Sequence, residues 1–279
     1  WIAGTRTAGL GGRAGDLPGT VLLNQPHEIQ VDEAGNILIA DTRNHRVGMI
    51  AADTGRWMPV AGSGKEGFSG DGNDSLEAKM NQAYSIAVDG NLLFIADLKN
   101  HRIREVDRER GIIRTICGTG EKKIPSDGAI ALESPLAGPR SLAVDSDNLW
   151  IVLREGNSVW RIDRKRKTIH HVAGTGKKGF TGDGGVASNA TFAGPKGIAV
   201  DPGVALYVAD TENHAIRRID LSSGKIATVM GALGKKGFDG DGDEVQKRLL
   251  ARPHGVCLLP NGNLLVGDSE NHRVRMLEK

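Results

Sequence analysis

A short segment ending in glycine recurs five times at nearly equal steps: Trp1-Ile2-Ala3-Gly4, Pro59-Val60-Ala61-Gly62, Thr115-Ile116-Cys117-Gly118, His171-Val172-Ala173-Gly174 and Thr228-Val229-Met230-Gly231. The steps between their second residues are 58, 56, 56 and 57. A second mark keeps the same beat, as Asp41-Thr-Arg-Asn44-His45, Asp97-Leu-Lys-Asn100-His101, Asp210-Thr-Glu-Asn213-His214 and Asp268-Ser-Glu-Asn271-His272. The remaining copy, Arg154-Glu155-Gly156-Asn157-Ser158, keeps only the Asn. Five units of about 56 residues fill the 279-residue chain. Such a period builds a fold in which each unit is one supersecondary element packed on its neighbours.

Each unit reads as four short strands. In the fourth they are Gly197–Asp201, Leu206–Asp210, Ala215–Asp220 and Lys225–Met230. The first two are nearly continuous apolar runs, as strands covered on both faces are. Asp201-Pro-Gly203, Glu212-Asn213 and Ser222-Ser-Gly224 supply the turns between them. Four antiparallel strands repeated with a long connection describe a propeller blade. The expectation is an all-β, five-bladed β-propeller forming a single domain over 1–279. Its blades fall near 24–62, 81–118, 137–174, 193–231 and 251–279 plus 1–4. The last unit lacks a fourth strand, and Trp1-Ile2-Ala3-Gly4 is a fourth strand without a blade before it. The N-terminal segment is therefore expected to complete the last blade, which removes two exposed sheet edges.

Composition narrows the remaining classes. The 39 glycines are about twice the usual share of roughly 7%, yet they show no period of three, which excludes collagen. The 39% of apolar residues lie in regular runs, which excludes a disordered chain. No apolar run approaches the roughly 18 residues that span a bilayer. Cys117 and Cys257 are too few for a disulfide scaffold. A formal charge of +2 demands no nucleic-acid partner. A chain that begins at Trp1 reads as a processed or excised form, from which any signal peptide would be gone. The compartment stays open, with a periplasmic or secreted setting favoured, and a monomer is expected.

At this level the chain resembles the NHL-repeat proteins. Asn44-His45, Asn100-His101, Asn213-His214 and Asn271-His272 match the signature, each followed by Arg or Ala and then Val or Ile. Pro195-Lys-Gly-Ile-Ala-Val-Asp201 matches the phrase that precedes it. The resemblance spans the whole chain and implies the propeller fold. It implies no one function, because relatives include scaffolds, RNA binders, lyases and hydrolases.

Several motifs have a structural reading. Gly62-Ser-Gly64-Lys-Glu-Gly67 and Gly174-Thr-Gly176-Lys-Lys-Gly179 match G-x-G-x-x-G, but a dinucleotide site needs a βαβ unit. Two copies at one phase of a β repeat mark turn geometry instead. The Asp-x-x-Asn-His element is likewise expected to be structural, because four of five units share it and His can bridge adjacent strands. Phe68, Phe180 and Phe238 are expected to pin the long loops to their blades. Asp239, Asp241 and Asp243 begin a calcium-loop pattern, although Glu244 and Leu250 break it. Turn capping is the preferred role of the Gly-Asp-Gly aspartates. Lys65, Lys122, Lys123, Lys177, Lys178, Lys235 and Lys236 would form a basic collar. Nearby aspartates offset it and no aromatic platform accompanies it, so nucleic acid is disfavoured.

The informative positions are those where the copies disagree. Just before each inner strand stand His27, Tyr84, Arg140, Lys196 and His254, which are expected to ring the mouth of a central channel. A shared structural task would repeat one residue type. In the related peptide alpha-amidating lyase, Pro-His phrases at this strand position supply zinc histidines. The resemblance thus offers Pro26-His27 and Pro253-His254 as two zinc ligands, with Glu28 or water needed to complete the set. Arg140 and Lys196 favour a small anionic ligand over a metal, and a polar channel filled by water and salt bridges is the third reading. The expected function is a binding or scaffolding propeller that presents a loop face and this mouth to a protein or a small anionic ligand. The alternative is a channel-mouth hydrolase or lyase (lactonase/esterase or amidating-lyase-like), metal-dependent or not. In it His27 or His254 is a ligand or base, Arg140 and Lys196 stabilise negative charge, and Tyr84 donates a proton. RNA binding is the weakest reading. The absence of a serine elbow and of a complete His triad places binding ahead of catalysis.

Overall fold

The computed structural model describes residues 2–241 and 248–278. The fold is a five-bladed β-propeller built from antiparallel sheets. The first blade holds β1 (Glu28–Val31), β2 (Ile37–Asp41), β3 (Arg46–Ile50) and β4 (Trp57–Ala61). The second adds a two-residue strand, β5 (Asn73–Asp74), to β6 (Ala83–Asp89), β7 (Leu92–Asp97), β8 (Arg102–Asp107) and β9 (Ile112–Cys117), in the order β5-β9-β8-β7-β6. The third repeats that plan with β10 (Ala129–Ile130), β11 (Pro139–Val144), β12 (Asn148–Leu153), β13 (Ser158–Asp163) and β14 (Thr168–Ala173). The fourth comprises β15 (Gly197–Asp201), β16 (Ala205–Asp210), β17 (Ala215–Asp220) and β18 (Ile226–Met230), within a residue of the boundaries read from the sequence. The fifth has β19 (Gly255–Leu258), β20 (Leu264–Asp268) and β21 (Arg273–Leu277).

The chain divides into two compact units, Trp1–Glu121 with Ala131–Pro135, and Lys122–Ile130 with Leu136–Lys279. The first unit holds blades one and two around a core that includes Leu38, Val47, Ile86, Leu93 and Ile95. In the second, Trp150, Val152, Phe192, Leu206 and Val208 fill the space between blades three and four. Ala209, Ile216, Met230, Leu250 and Val266 do the same between blades four and five.

Residues 2–4 lie in no strand, and the last sheet has three strands among the described residues. The Gly4 amide donates to the Pro18 carbonyl at 3.0 Å, and Ala3 packs beside the cluster of Val21, Ile39, Ile50 and Trp57. Both contacts hold this end against the first blade. Trp1 lies outside the described residues. Farther along, Gly9 and Gly11 accept hydrogen bonds from Asn44 and Arg46, which makes this stretch the first blade's version of the long loops.

The Asp-x-x-Asn-His element is a structural joint. After β2, β7, β16 and β20 the chain makes one 3-10 turn and ends it on a histidine in the left-handed region, with φ of 52°, 51°, 57° and 54°. The buried aspartate accepts a backbone amide from the segment entering its blade: Asp41 from Asn24, Asp97 from Asn81, Asp210 from Ala193 and Asp268 from Ala251. Its other oxygen accepts from the asparagine three residues on. That asparagine also donates to a loop carbonyl, Gly67 for Asn100, Gly179 for Asn213 and Gly237 for Asn271. The histidine Nδ1 links consecutive blades by accepting the Gln82 amide at His45 and the Arg252 amide at His214, each at 3.1 Å. Burial depresses the pKa of both rings, which suits their role as neutral acceptors.

The third blade shows what the joint requires. By geometry Asn157, not Ser158 after it, takes the histidine position. It has φ of 42°, and its Oδ1 accepts the Gly194 amide at 2.9 Å. Asn tolerates the left-handed region and its carbonyl oxygen replaces Nδ1.

A buried arginine completes the latch in four blades: in the first, Arg46 pairs with Asp41 at 2.8 Å, and in three others the arginine stands two residues farther along the strand. Arg104, Arg217 and Arg275 reach the joint aspartates Asp97, Asp210 and Asp268 at about 3.5 Å and the loop aspartates Asp71, Asp183 and Asp241 at 2.7, 2.7 and 2.9 Å. The Gly-Asp-Gly aspartates expected to cap turns are thus ion-pair partners, since a buried guanidinium requires compensating charge. Phe68 and Phe238 stack on arginines of their own blades, at 3.9 Å from Arg102 and 4.0 Å from Arg273. In the third blade Trp160 takes the arginine position. In the first, Gly48 takes it because Trp57 fills the space, where a Cβ would stand 2.0 Å from the indole. We predict that His214→Ala destabilises the protein by about 1–3 kcal/mol, the cost of an orphaned buried amide. His214→Asn should retain most of the stability, and urea denaturation compares the two.

Candidate functional site

The five symmetry-breaking residues occupy one phase of the repeat. The amides of His27, Lys196 and His254 donate to Ala40, Ala209 and Gly267 on the second strand of their blades, at 3.2, 3.0 and 3.1 Å. Tyr84 and Arg140 sit where the register of β6 and β11 shifts, between Ala83 and Ile86 and between Pro139 and Ser141. Such irregularities re-aim side chains.

In the first unit, His27 lies against Tyr84 with ring centroids 4.1 Å apart and planes tilted by 36°. Its Nδ1 is 3.0 Å from the Gln25 carbonyl. A carbonyl only accepts, so Nδ1 carries a proton. Beside it Glu28 accepts from Gln30 at 3.1 Å. Burial pushes the Glu28 carboxyl up to about 7, against the opposing effects of hydrogen bonds from Ser85, Gln30 and the Ile86 backbone.

In the second unit, Lys196 Nζ lies 2.8 Å from His254 Nε2. The ammonium can only donate, so the imidazole accepts. Partial burial and then the Lys196 charge push His254 down to about 4. Burial, followed by the charges of Arg252 and Arg140, lowers Lys196 to about 8. Gly197 makes the approach possible: a Cβ there would stand 2.5 Å from the His254 carbonyl oxygen. The acids nearby are engaged. Glu212 takes two hydrogen bonds from Arg252, at 2.6 and 3.0 Å, and Glu270 binds both Arg252 and Lys236. Arg154 pairs with Glu155 at 3.1 Å. Beside Lys196 the carboxylates of Glu212, Glu270 and Glu155 are thus engaged by Arg252, Lys236 and Arg154.

No group of three His, Cys, Asp or Glu side chains suited to a metal occurs among the described residues. His27 and Glu28 belong to one unit and His254 to the other, each with the neighbours given above. Of the calcium candidates, Asp241 pairs with Arg275 and Asp239 accepts the Leu249 amide at 2.8 Å. Asp243 lies outside the described residues. The loop lysines are spread along separate connections, and Lys236 pairs with Glu270.

Sequence reasoning missed Ser85, Arg154, Glu212, Arg252 and Glu270. One signal was available. Two residues before the ring positions the copies read Gln25, Gln82, Gly138, Gly194 and Arg252, all with positive φ. Three non-glycine residues where two copies keep glycine mark places where a side chain was worth some backbone strain.

The NHL repeat family model matches residues 23–48 and 250–276, and that of the Teneurin NHL domain matches 166–238. The chain is similar to NHL repeat-containing protein 2 of Gallus gallus, 29% identical over 94% of this chain and 39% of that protein. It therefore spans well under half of that relative. Among solved structures, it resembles an auxiliary nutrient binding protein from Bacteroides ovatus with a TM-score of 0.67 at 14% identity, covering 92% of this chain and 60% of that one. A virginiamycin B lyase from Staphylococcus aureus gives 0.55 at 16% identity, over 91% and 67%. These likenesses concern the fold. No helix among the described residues is long and apolar enough to cross a membrane.

Glu28 gives a pH test of the first unit's geometry. Its folded pKa of about 7 exceeds the ordinary 4.5, so the folded state holds a proton that the unfolded state releases. Stability should fall as pH rises from about 4.5 through 7. Glu28→Gln should flatten that decline, raising the melting temperature more at pH 8 than at pH 5.

Proposed function

Because the chain is an NHL-repeat β-propeller, we propose that it is a binding propeller that takes a small anionic ligand at Arg140, Lys196 and His254. One observation carries this reading: Lys196 rests on a neutral histidine, with cations around it and the nearby carboxylate Glu212 engaged by Arg252. A ligand carboxylate or phosphate would supply the missing negative charge. It would accept from the ammonium and lie in the field of Arg140, two charge-assisted contacts that fix both affinity and orientation. Neutral His254 can turn its attention from Lys196 to the ligand without carrying charge itself. The likeness to a nutrient binding protein agrees with a small-molecule ligand. The loops of the second unit, where Phe180 and Phe238 are exposed, would be the place for a protein partner.

A second reading, proton-transfer chemistry of a hydrolase or lyase, is favoured by Glu28. A carboxyl held near pH 7 beside His27 and Tyr84 has the pKa of a general acid or base working at neutral pH. Glu28→Gln would abolish such an activity, whereas the anion reading predicts no effect of that change on ligand binding.

Calorimetric titration with citrate and with phosphate tests the first reading. Lys196→Met and Arg140→Met are each expected to weaken binding by roughly ten- to a hundredfold, the worth of one charged hydrogen bond. Added salt should weaken it further. Affinity unchanged from that of the unaltered protein in both variants would sink the proposal.

A further inference from the structure

We propose that Lys196 is a nucleophilic amine that condenses with the carbonyl group of a small 2-oxo acid. This inference rests on the anion reading, because the neighbouring cations would hold the ligand's carboxylate while the amine meets its carbonyl.

The geometry sets Lys196 apart from the other lysines. Lys165 donates to Asp147 at 2.6 Å, and Lys236 pairs with Glu270. A carboxylate beside an ammonium keeps it protonated, so neither is a nucleophile. Lys196 has the opposite setting. Its hydrogen-bond partner is an uncharged imidazole nitrogen, and Glu212 is bound by Arg252. The charged groups acting on it come from every side of the site: Arg140 on β11, Arg154 after β12, Glu212 after β16 and Arg252 before β19. Burial and three of these four charges oppose its protonation, lowering it to about 8. About a tenth of the side chain is then uncharged at pH 7, several hundredfold more than for an ordinary lysine. An amine made nucleophilic by desolvation and neighbouring cations is a known route to imine chemistry.

The step balances without an oxidant or reductant. The ammonium gives up one proton, for which His254 Nε2 is the adjacent acceptor. The freed lone pair attacks the carbonyl carbon, the C=O π electrons move to oxygen, and one proton passes from nitrogen to that oxygen to give a carbinolamine. His254 returns its proton to the hydroxyl, which leaves as water while the nitrogen lone pair forms the protonated C=N bond. His254, at 2.8 Å, positions the amine and relays the proton.

The test uses the full chain with pyruvate and sodium cyanoborohydride, followed by peptide mapping by mass spectrometry. The reduced adduct should accumulate on Lys196 roughly tenfold or more faster than on Lys165. Its rate should be half-maximal near pH 8. Arg140→Met should move that midpoint to higher pH, since it removes a charge that opposes protonation. Lys196→Arg should abolish the fast adduct and leave the slow ones. A Lys196 rate no greater than that of Lys165, or a midpoint in the ordinary lysine range, overturns the inference. Lactate and acetone separate its two parts. If lactate binds at the site and pyruvate is not trapped, the amine chemistry is wrong and the anion site stands. If acetone, a methyl ketone without a carboxylate, labels Lys196 as fast as pyruvate, the anion reading fails and the 2-oxo acid assignment falls with it.

Discussion

One buried carboxylate in each of four blades organises this protein. Asp97, Asp210 and Asp268 are fully shielded from water, where an unpaired charge would be prohibitive. Each is met by a backbone amide, an asparagine side chain and a guanidinium. Each of those donors belongs to a different piece of chain or reaches on to another. Satisfying one aspartate therefore fixes the entry to the blade, the tight turn after its second strand and the long loop that precedes it. A buried salt bridge adds little net stability by itself, but here it dictates which arrangement of loops is allowed.

That latch also explains why so much of the repeat looks like a functional motif. Glycine-rich loops with lysines and aspartates suggest phosphate or metal sites when read one at a time. In the folded chain Asp71, Asp183 and Asp241 face buried arginines, and Gly67, Gly179 and Gly237 offer carbonyls to asparagines. With the scaffold absorbing these groups, the chemistry is left to the few positions the repeat does not fix. Where the scaffold itself varies, it does so by substitution of equal function. Asn157 replaces a histidine acceptor, and Arg46 reaches Asp41 in the blade where the Trp57 ring fills the usual arginine's space.

The candidate site illustrates how the same position acquires different chemistry. His27 and His254 stand at one phase of the repeat and follow the same dipeptide pattern. His27 meets an aromatic ring and donates from Nδ1, whereas His254 meets an ammonium and accepts at Nε2. Their difference comes from neighbours contributed by other blades, Tyr84 in one case and Lys196 in the other. Arg252, which ties down Glu212 and Glu270, decides how much positive charge the second cluster retains.

The sequence by itself determined the number of blades, the strands within each and the positions where the copies diverge. Those features follow from period, alternation and turn chemistry, which are local and repeat five times. It also placed Arg140, Lys196 and His254 at one level, because a shared phase in the repeat becomes a shared height in the blade. The partners of the buried aspartates, the left-handed histidines that link blades and the contact between Lys196 and His254 needed the tertiary structure. The histidine links join residues 37 and 38 positions apart, and Lys196 lies 58 from His254. The buried aspartates draw partners from 3 to 17 positions away. All of these meetings are set by how strands and blades pack. The charge state of Lys196 belongs to the same class. No spacing along the chain encodes it, because it depends on which carboxylates the surrounding arginines have already claimed.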